Sequence, residues 1–220
     1  MPTTLETEPV RSLLERLFRE ADERDPGIFA VVGQLEKGGA SREDPKVAAL
    51  LSEAYMPVSP ASGRLLYQLI RARPARLVVE FGLSFGLSTI YLAAAVKDSG
   101  VGRVITTELD PSKIRRASEN LRIAGLLDHV EIREGDARQT LAPIDEDIDV
   151  LLLDGWKYLY LPVLKLLEPK LPPSSFVVAD DIDLQVEALR PYIDYIRDPA
   201  NGYTTVHIPI DDGLEVSQRG

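Results

Sequence analysis

Three carboxylates and a lysine occupy positions where this sequence could do chemistry. Asp154 follows the apolar run Val150–Leu153, while Asp180 and Asp181 follow Phe176–Ala179. Laid side by side in a parallel sheet, two such runs end about 5 Å apart, so the acids would face one another across the sheet edge. Like charges that close repel, and a hard divalent cation relieves the repulsion. Oxygen-only ligands suit Mg²⁺ or Ca²⁺, with Mn²⁺ a further choice. Lys157 lies three residues beyond Asp154. A lysine at a helix start opposes the helix dipole. Beside a bound cation its ammonium would be destabilised and its pKa lowered, as a general base requires. The same cation would acidify a bound hydroxyl. Lys157 and Asp154 are therefore the candidate catalytic residues, and Asp154, Asp180 and Asp181 the candidate metal ligands. Taken singly, each acid reads as readily as a helix cap or a solvated strand end.

A second group of residues could hold a nucleotide-like ligand. Leu77–Glu80 reads as a strand buried on both faces, followed by Gly82, Ser84, Gly86 and then Ser88 at the start of an apolar helix. A strand, a glycine-bearing turn and a helix N-terminus let a ligand lie against backbone. The spacing is Gly82-x-x-x-Gly86, so the dinucleotide pattern Gly-x-Gly-x-x-Gly is absent and a nicotinamide dehydrogenase is disfavoured. Arg103–Glu108 ends in an acid, and an acid at the tip of the neighbouring strand can accept both hydroxyls of a ribose. After the next strand, Asp136 and Ala137 reach the same edge. Asp136 could accept from the exocyclic amine of an adenine or simply cap a helix.

The elements that must position these residues alternate along the chain. Strands are expected at Leu77–Glu80, Arg103–Glu108, Val130–Glu134, Val150–Asp154 and Ser175–Asp180, with helices near Ser88–Lys97, Pro111–Ala124, Leu159–Leu167 and Leu184–Ile196. That order predicts an α/β fold with a Rossmann-like, doubly wound, mostly parallel sheet. Tyr203–Pro209 and Leu214–Arg219, joined by Asp211-Asp212-Gly213, read as a C-terminal β-hairpin. Upstream, helical spacing runs from about Glu8 to Glu23 and is broken at Asp25-Pro26-Gly27; further helices are expected at Phe29–Glu36 and Asp44–Ala54. Residues 1–60 would form an N-terminal helical cap with a proline-punctuated loop at Tyr55–Pro60, and residues 61–220 the core, within one structural domain.

These residues together resemble the class I S-adenosylmethionine-dependent methyltransferases, whose strand-one motif reads Glu-x-Gly-x-x-x-Gly. The run Asp154-Gly-Trp-Lys157-Tyr-Leu-Tyr with Asp180-Asp181 resembles the cation-dependent catechol and caffeoyl-CoA O-methyltransferases, most closely the catechol branch, over roughly Tyr55 to the C-terminus. The resemblance implies S-adenosylmethionine as cofactor, bound by Met56, Val58, Glu80, Gly82, Ser84, Gly86, Ser88, Glu108, Leu109, Asp136, Ala137, Asp154 and Trp156. It also implies Mg²⁺ on the three aspartates, Lys157 as base, a vicinal dihydroxy aromatic as methyl acceptor, and a homodimer. One departure is Asp181, where the family more often has Asn. The alternatives are a metal-independent small-molecule O- or N-methyltransferase and a non-catalytic cofactor-binding protein.

Composition narrows the partners. The 220 residues carry a net charge of −10 and no cysteine. The acidity repels nucleic-acid phosphate, and no basic run offsets it. Without cysteine there are no disulfides or thiolate sites. No apolar run approaches a membrane span, and the N-terminal residues lack a signal-peptide pattern, so a cytoplasmic protein acting on a small molecule is expected.

Overall fold

The computed structural model describes residues 2–42 and 44–220. A seven-stranded sheet in the order β3-β2-β1-β4-β5-β7-β6 forms its centre. The strands are β1 (Leu77–Phe81), β2 (Arg103–Glu108), β3 (Val130–Glu134), β4 (Val150–Leu153), β5 (Phe176–Ala179), β6 (Tyr203–Ile208) and β7 (Leu214–Arg219). The first five run parallel. β6 and β7 form an antiparallel hairpin, and β7 docks antiparallel on β5.

The topological switch point falls between β1 and β4, the place where open α/β sheets bind ligands at their carboxyl edge. Register decides what emerges there. Phe81 pairs with Leu153 and Leu153 with Ala179. The next residues on each strand, Gly82, Asp154 and Asp180, therefore leave the sheet at one level. Backbone bonds continue the ladder by one step, from Asp154 N to Phe81 O at 2.9 Å and from Asp180 N to Leu153 O at 3.0 Å.

Both faces of the inner parallel strands β1, β4 and β5 are covered, which accounts for their largely apolar sequences. Val78, Val150, Leu152 and Val178 point to a core shared with α3 (Pro60–Ala72) and α4 (Leu87–Ser99). Leu77, Val79, Phe81, Leu151, Leu153 and Val177 point to the opposite core, against α7 (Tyr160–Leu167) and α8 (Val186–Arg197). The remaining helices are α1 (Val10–Lys37), α2 (Pro45–Leu51), α5 (Pro111–Ile123) and the single turn α6 (Ala137–Thr140). No helix is long and apolar enough to cross a membrane among the described residues.

The N-terminal region departs from the expected pattern. Asp25-Pro26-Gly27 does not break the helix; α1 runs through it for 28 residues with Pro26 inside. Proline removes one helical donor and crowds the preceding turn, at a cost of about 3 kcal/mol. Contacts on both sides of it offset that cost. Val10, Leu13, Leu14, Leu17 and Ala21 join the α3–α4 core, while Val32 beyond the proline packs with Val47 and Leu51 of α2. The cap therefore shares its core with the sheet. α2 is also shorter than Asp44–Ala54: Asp44 is its N-cap, accepting from Lys46 N at 2.9 Å.

Candidate active site

The carboxyl edge of the sheet opens into a cavity of about 1460 Å³, floored by the ends of β1, β2 and β4 and walled by α1 and the loop before α3. Gly82 and Asp154 meet at its base. Gly82 has φ +112°, and a Cβ there would lie 2.4 Å from the Asp154 carbonyl oxygen. Only glycine lets these two strand ends approach so closely. Gly155 faces the same constraint, since its Cβ would fall 2.4 Å from the Phe81 ring.

At one end of the cavity Asp154, Asp180 and Asp181 each offer an oxygen, all within 4.8 Å of one another. Burial pushes the Asp154 carboxyl well up from its ordinary value, and repulsion from Asp180 adds to this. Asp180 is pushed up to about 7 by burial and by the charge of Asp181. Such a set is short of positive charge. Its all-oxygen donors and shared repulsion fit a hard divalent cation.

Lys157 is buried beside this cluster, in a 3₁₀ turn that leads into α7. Its Nζ donates to the Tyr160 hydroxyl at 2.7 Å and lies 2.9 Å from Asp181 Oδ2. Tyr160 in turn donates to the Asp180 carbonyl at 3.0 Å. The lysine is thus aimed at the carboxylates rather than at solvent. Asp181 adopts φ +58°, a left-handed conformation that Asn and Asp tolerate better than other side-chain-bearing residues. That backbone would accommodate Asn at this position as readily as Asp.

The other end is built by the glycine turn and β2. Gly86, at φ +84°, is the N-cap of α4, and the cavity wall beside it includes Ser84 and Ser88. Glu108 stands across from them. Its Oε1 accepts from Leu109 N at 2.7 Å and Asp110 N at 3.0 Å, and its Oε2 from Ser84 N at 3.0 Å. Each carboxylate oxygen can accept two bonds, so Oε2 keeps capacity for a ligand hydroxyl. Asp136 is the N-cap of α6 and pairs with Arg138, whose hydrogen bonds hold its carboxyl below its ordinary value. Met56, Val58, Leu109, Ala137 and Trp156 complete this wall, and the Arg42 guanidinium sits 5.5 Å from the Trp156 ring centroid.

Three of the residues expected at the site do not line the cavity: Glu80, Gly86 and Asp180. Asp180 lies just beneath it in the carboxylate cluster, and Gly86 acts as the helix cap. Glu80, expected among the cofactor contacts, lies beneath the cavity. It is fully buried, and its Oε2 accepts from Thr89 and Thr106, each at 2.6 Å. It ties β1 to α4 and β2 beneath the turn. Burial raises its carboxyl above the ordinary range, and its Oε1 has no partner among the described residues.

Other wall residues are not evident from sequence motifs. Asp25 of α1 and Lys113 of α5 both line the cavity. Lys113 had one legible signal: it sits in the first turn of α5, where a cation opposes the dipole unless something holds it. Asp25 had none, because beside Pro26 and Gly27 it reads as a helix breaker.

Residues 79–182 match a family described as a methyltransferase domain. A catechol O-methyltransferase from Niastella koreensis is 34% identical over 139 residues, 60% of this chain and 62% of the relative, so the chain spans under two thirds of that relative's length. An O-methyltransferase from Streptomyces achromogenes involved in tomaymycin synthesis, solved with S-adenosylmethionine, is 26% identical at TM-score 0.65, over 74% of this chain and 82% of the other. An O-methyltransferase from Bacillus cereus shares the fold at TM-score 0.68 and 22% identity, over 80% and 88% of the two chains.

Proposed function

We propose that this chain is a class I S-adenosylmethionine-dependent O-methyltransferase that methylates a hydroxyl of a small catechol-like acceptor with the help of a divalent cation, a reading supported by its match to a methyltransferase domain and its similarity to catechol O-methyltransferases. One observation carries the reading. Lys157, Asp154 and Asp181, with Asp180 just beneath them, stand at one end of a single cavity whose other end is the glycine turn and Glu108.

At the cofactor end, Gly82, Ser84 and the start of α4 at Ser88 would hold the methionine part, and Glu108 the ribose. Asp136, Ala137 and Trp156 would flank the adenine, with Met56, Val58 and Leu109 closing the wall. Asp154, Asp180 and Asp181 would hold Mg²⁺, which when bound neutralises their charge and lowers the pKa of a neighbouring hydroxyl. Lys157 accepts the proton from the acceptor hydroxyl at Nζ. S-adenosylmethionine, when bound, would supply the methyl group, its carbon–sulfur bond breaking as the acceptor oxygen takes up the methyl carbon, to leave S-adenosylhomocysteine and the methyl ether. Tyr160 steadies Nζ during this transfer. The protein contributes position and a preorganised field, because the methyl group itself needs no acid or base.

The test is S-adenosylhomocysteine release with a panel of catechols, with Mg²⁺ and again with EDTA. Turnover abolished by EDTA is the expected result. Turnover that persists in EDTA would remove the cation from the reaction and favour a metal-independent methyltransferase.

A further inference from the structure

Several residues of the N-terminal helix line the cavity, and one of them, Asp25, reaches the loop before α3. Asp25, in the middle of α1, is 6% exposed. Its Oδ1 accepts from Tyr55 N at 2.9 Å and its Oδ2 from Met56 N at 2.8 Å. These amides open the loop that places Met56 and Val58 on the cavity wall. Met56 has φ +46°, a conformation that a long side chain keeps only when its surroundings enforce it.

The same short segment is held from the opposite side. Lys113, 4% exposed on α5, donates from Nζ to the Ala54 carbonyl at 3.0 Å and to Ser84 Oγ at 3.1 Å. Ser84 Oγ then donates to the Tyr55 carbonyl at 2.7 Å. Residues 54–56 thus present two amides to a carboxylate and two carbonyls to an ammonium and its serine relay. The chemistry matches each side: a carboxylate is acceptor-only and meets two donors, while an ammonium is donor-only.

We propose that Asp25 and Lys113 are positioning residues for the cofactor, acting through the Ala54–Met56 backbone and Ser84 to hold the Met56–Val58 wall in its binding geometry before ligand arrives. The inference rests on the reading that an S-adenosyl ligand occupies this end. A wall ordered by folding spares binding the cost of ordering it, so loss of the clamp falls on ligand affinity. Asparagine at position 25 would turn an NH₂ toward one of the two amides and cannot replace the carboxylate.

The experiment is calorimetric titration of the full chain with S-adenosylhomocysteine in EDTA, which needs neither cation nor acceptor. Asp25→Asn and Lys113→Met are each expected to weaken binding about tenfold or more. The control is Asp98→Asn, whose carboxylate anchors Thr4 and Tyr67 away from the cavity. That variant should lose melting temperature yet bind as the parent does, which separates positioning from general stability. Tight binding by the parent together with binding within twofold by both clamp variants would overturn the proposal. If Asp25→Asn does not fold, Lys113→Met carries the test alone. No binding by the parent would instead overturn the cofactor reading on which the proposal stands.

Discussion

Lys157 Nζ lies 2.9 Å from Asp181 Oδ2, so the candidate base and a candidate metal ligand form one ion pair at the inner end of the cavity. The pair, together with the Tyr160 hydroxyl, fixes the nitrogen beside the carboxylate cluster, where the proposed mechanism needs its base. Lys157→Met keeps most of the buried stem and removes the nitrogen. It is expected to lower kcat about 10²–10⁴-fold, the usual weight of a general base. S-adenosylhomocysteine affinity should stay within about twofold. Steady-state rates with parallel calorimetry check this, and equal losses in both would remove Lys157 from the base role.

Asp154→Asn addresses the cation. Burial and repulsion from Asp180 disfavour the charged form of Asp154, so in cation-free buffer the variant should be at least as stable as the parent. The parent should gain about 2.7 kcal/mol at a free Mg²⁺ concentration one hundred times its Kd. The variant should lose most of that gain. Thermal unfolding with and without Mg²⁺ reads both effects, and an undiminished response in the variant would take Asp154 off the ligand set.

Gly82→Ala tests the junction of β1 and β4. The added Cβ would lie 2.4 Å from the Asp154 carbonyl oxygen, on a backbone at φ +112°. Strain of this kind with steric overlap is expected to cost about 2–5 kcal/mol. Urea unfolding would show the midpoint fall with an unchanged slope. A cost below about 1 kcal/mol would mean that the strand ends separate easily.

Glu215 gives a pH prediction distant from the site. It is fully buried on β7, accepting from Arg197 Nε at 2.9 Å, Arg197 Nη2 at 2.6 Å and Thr205 Oγ1 at 2.7 Å. Burial pushes its carboxyl up, but the bonds from Arg197 and Thr205 outweigh this and hold it below its ordinary 4.5. A lowered folded pKa means that the folded state binds fewer protons, so the stabilisation is complete above pH 4.5 and fades as pH falls through the folded value. Glu215→Gln should cost about 1–3 kcal/mol at pH 7, since Arg197 is half exposed and solvent softens the loss. The gap to the parent should narrow below pH 4.5. A gap independent of pH would assign the effect to packing instead.

By itself the sequence determined the alternating sheet, its apolar strands and the acids at their ends. Those features rest on local periodicity and on residues adjacent in the chain: β2 and β3 fall at Arg103–Glu108 and Val130–Glu134 as the pattern requires. The grouping of Asp154, Asp180 and Asp181 was legible because parallel register places consecutive strand tips together. Tertiary structure alone decided the rest. α1 continues through Pro26 because packing on both sides outweighs a local penalty. Glu80 lies beneath the turn because Thr89 and Thr106 close over its carboxylate. Asp25 meets Tyr55 and Met56, and Lys113 meets Ala54, across separations of 30 residues or more. No local spacing encodes such contacts, since they arise only when helices from distant parts of the chain pack against one loop.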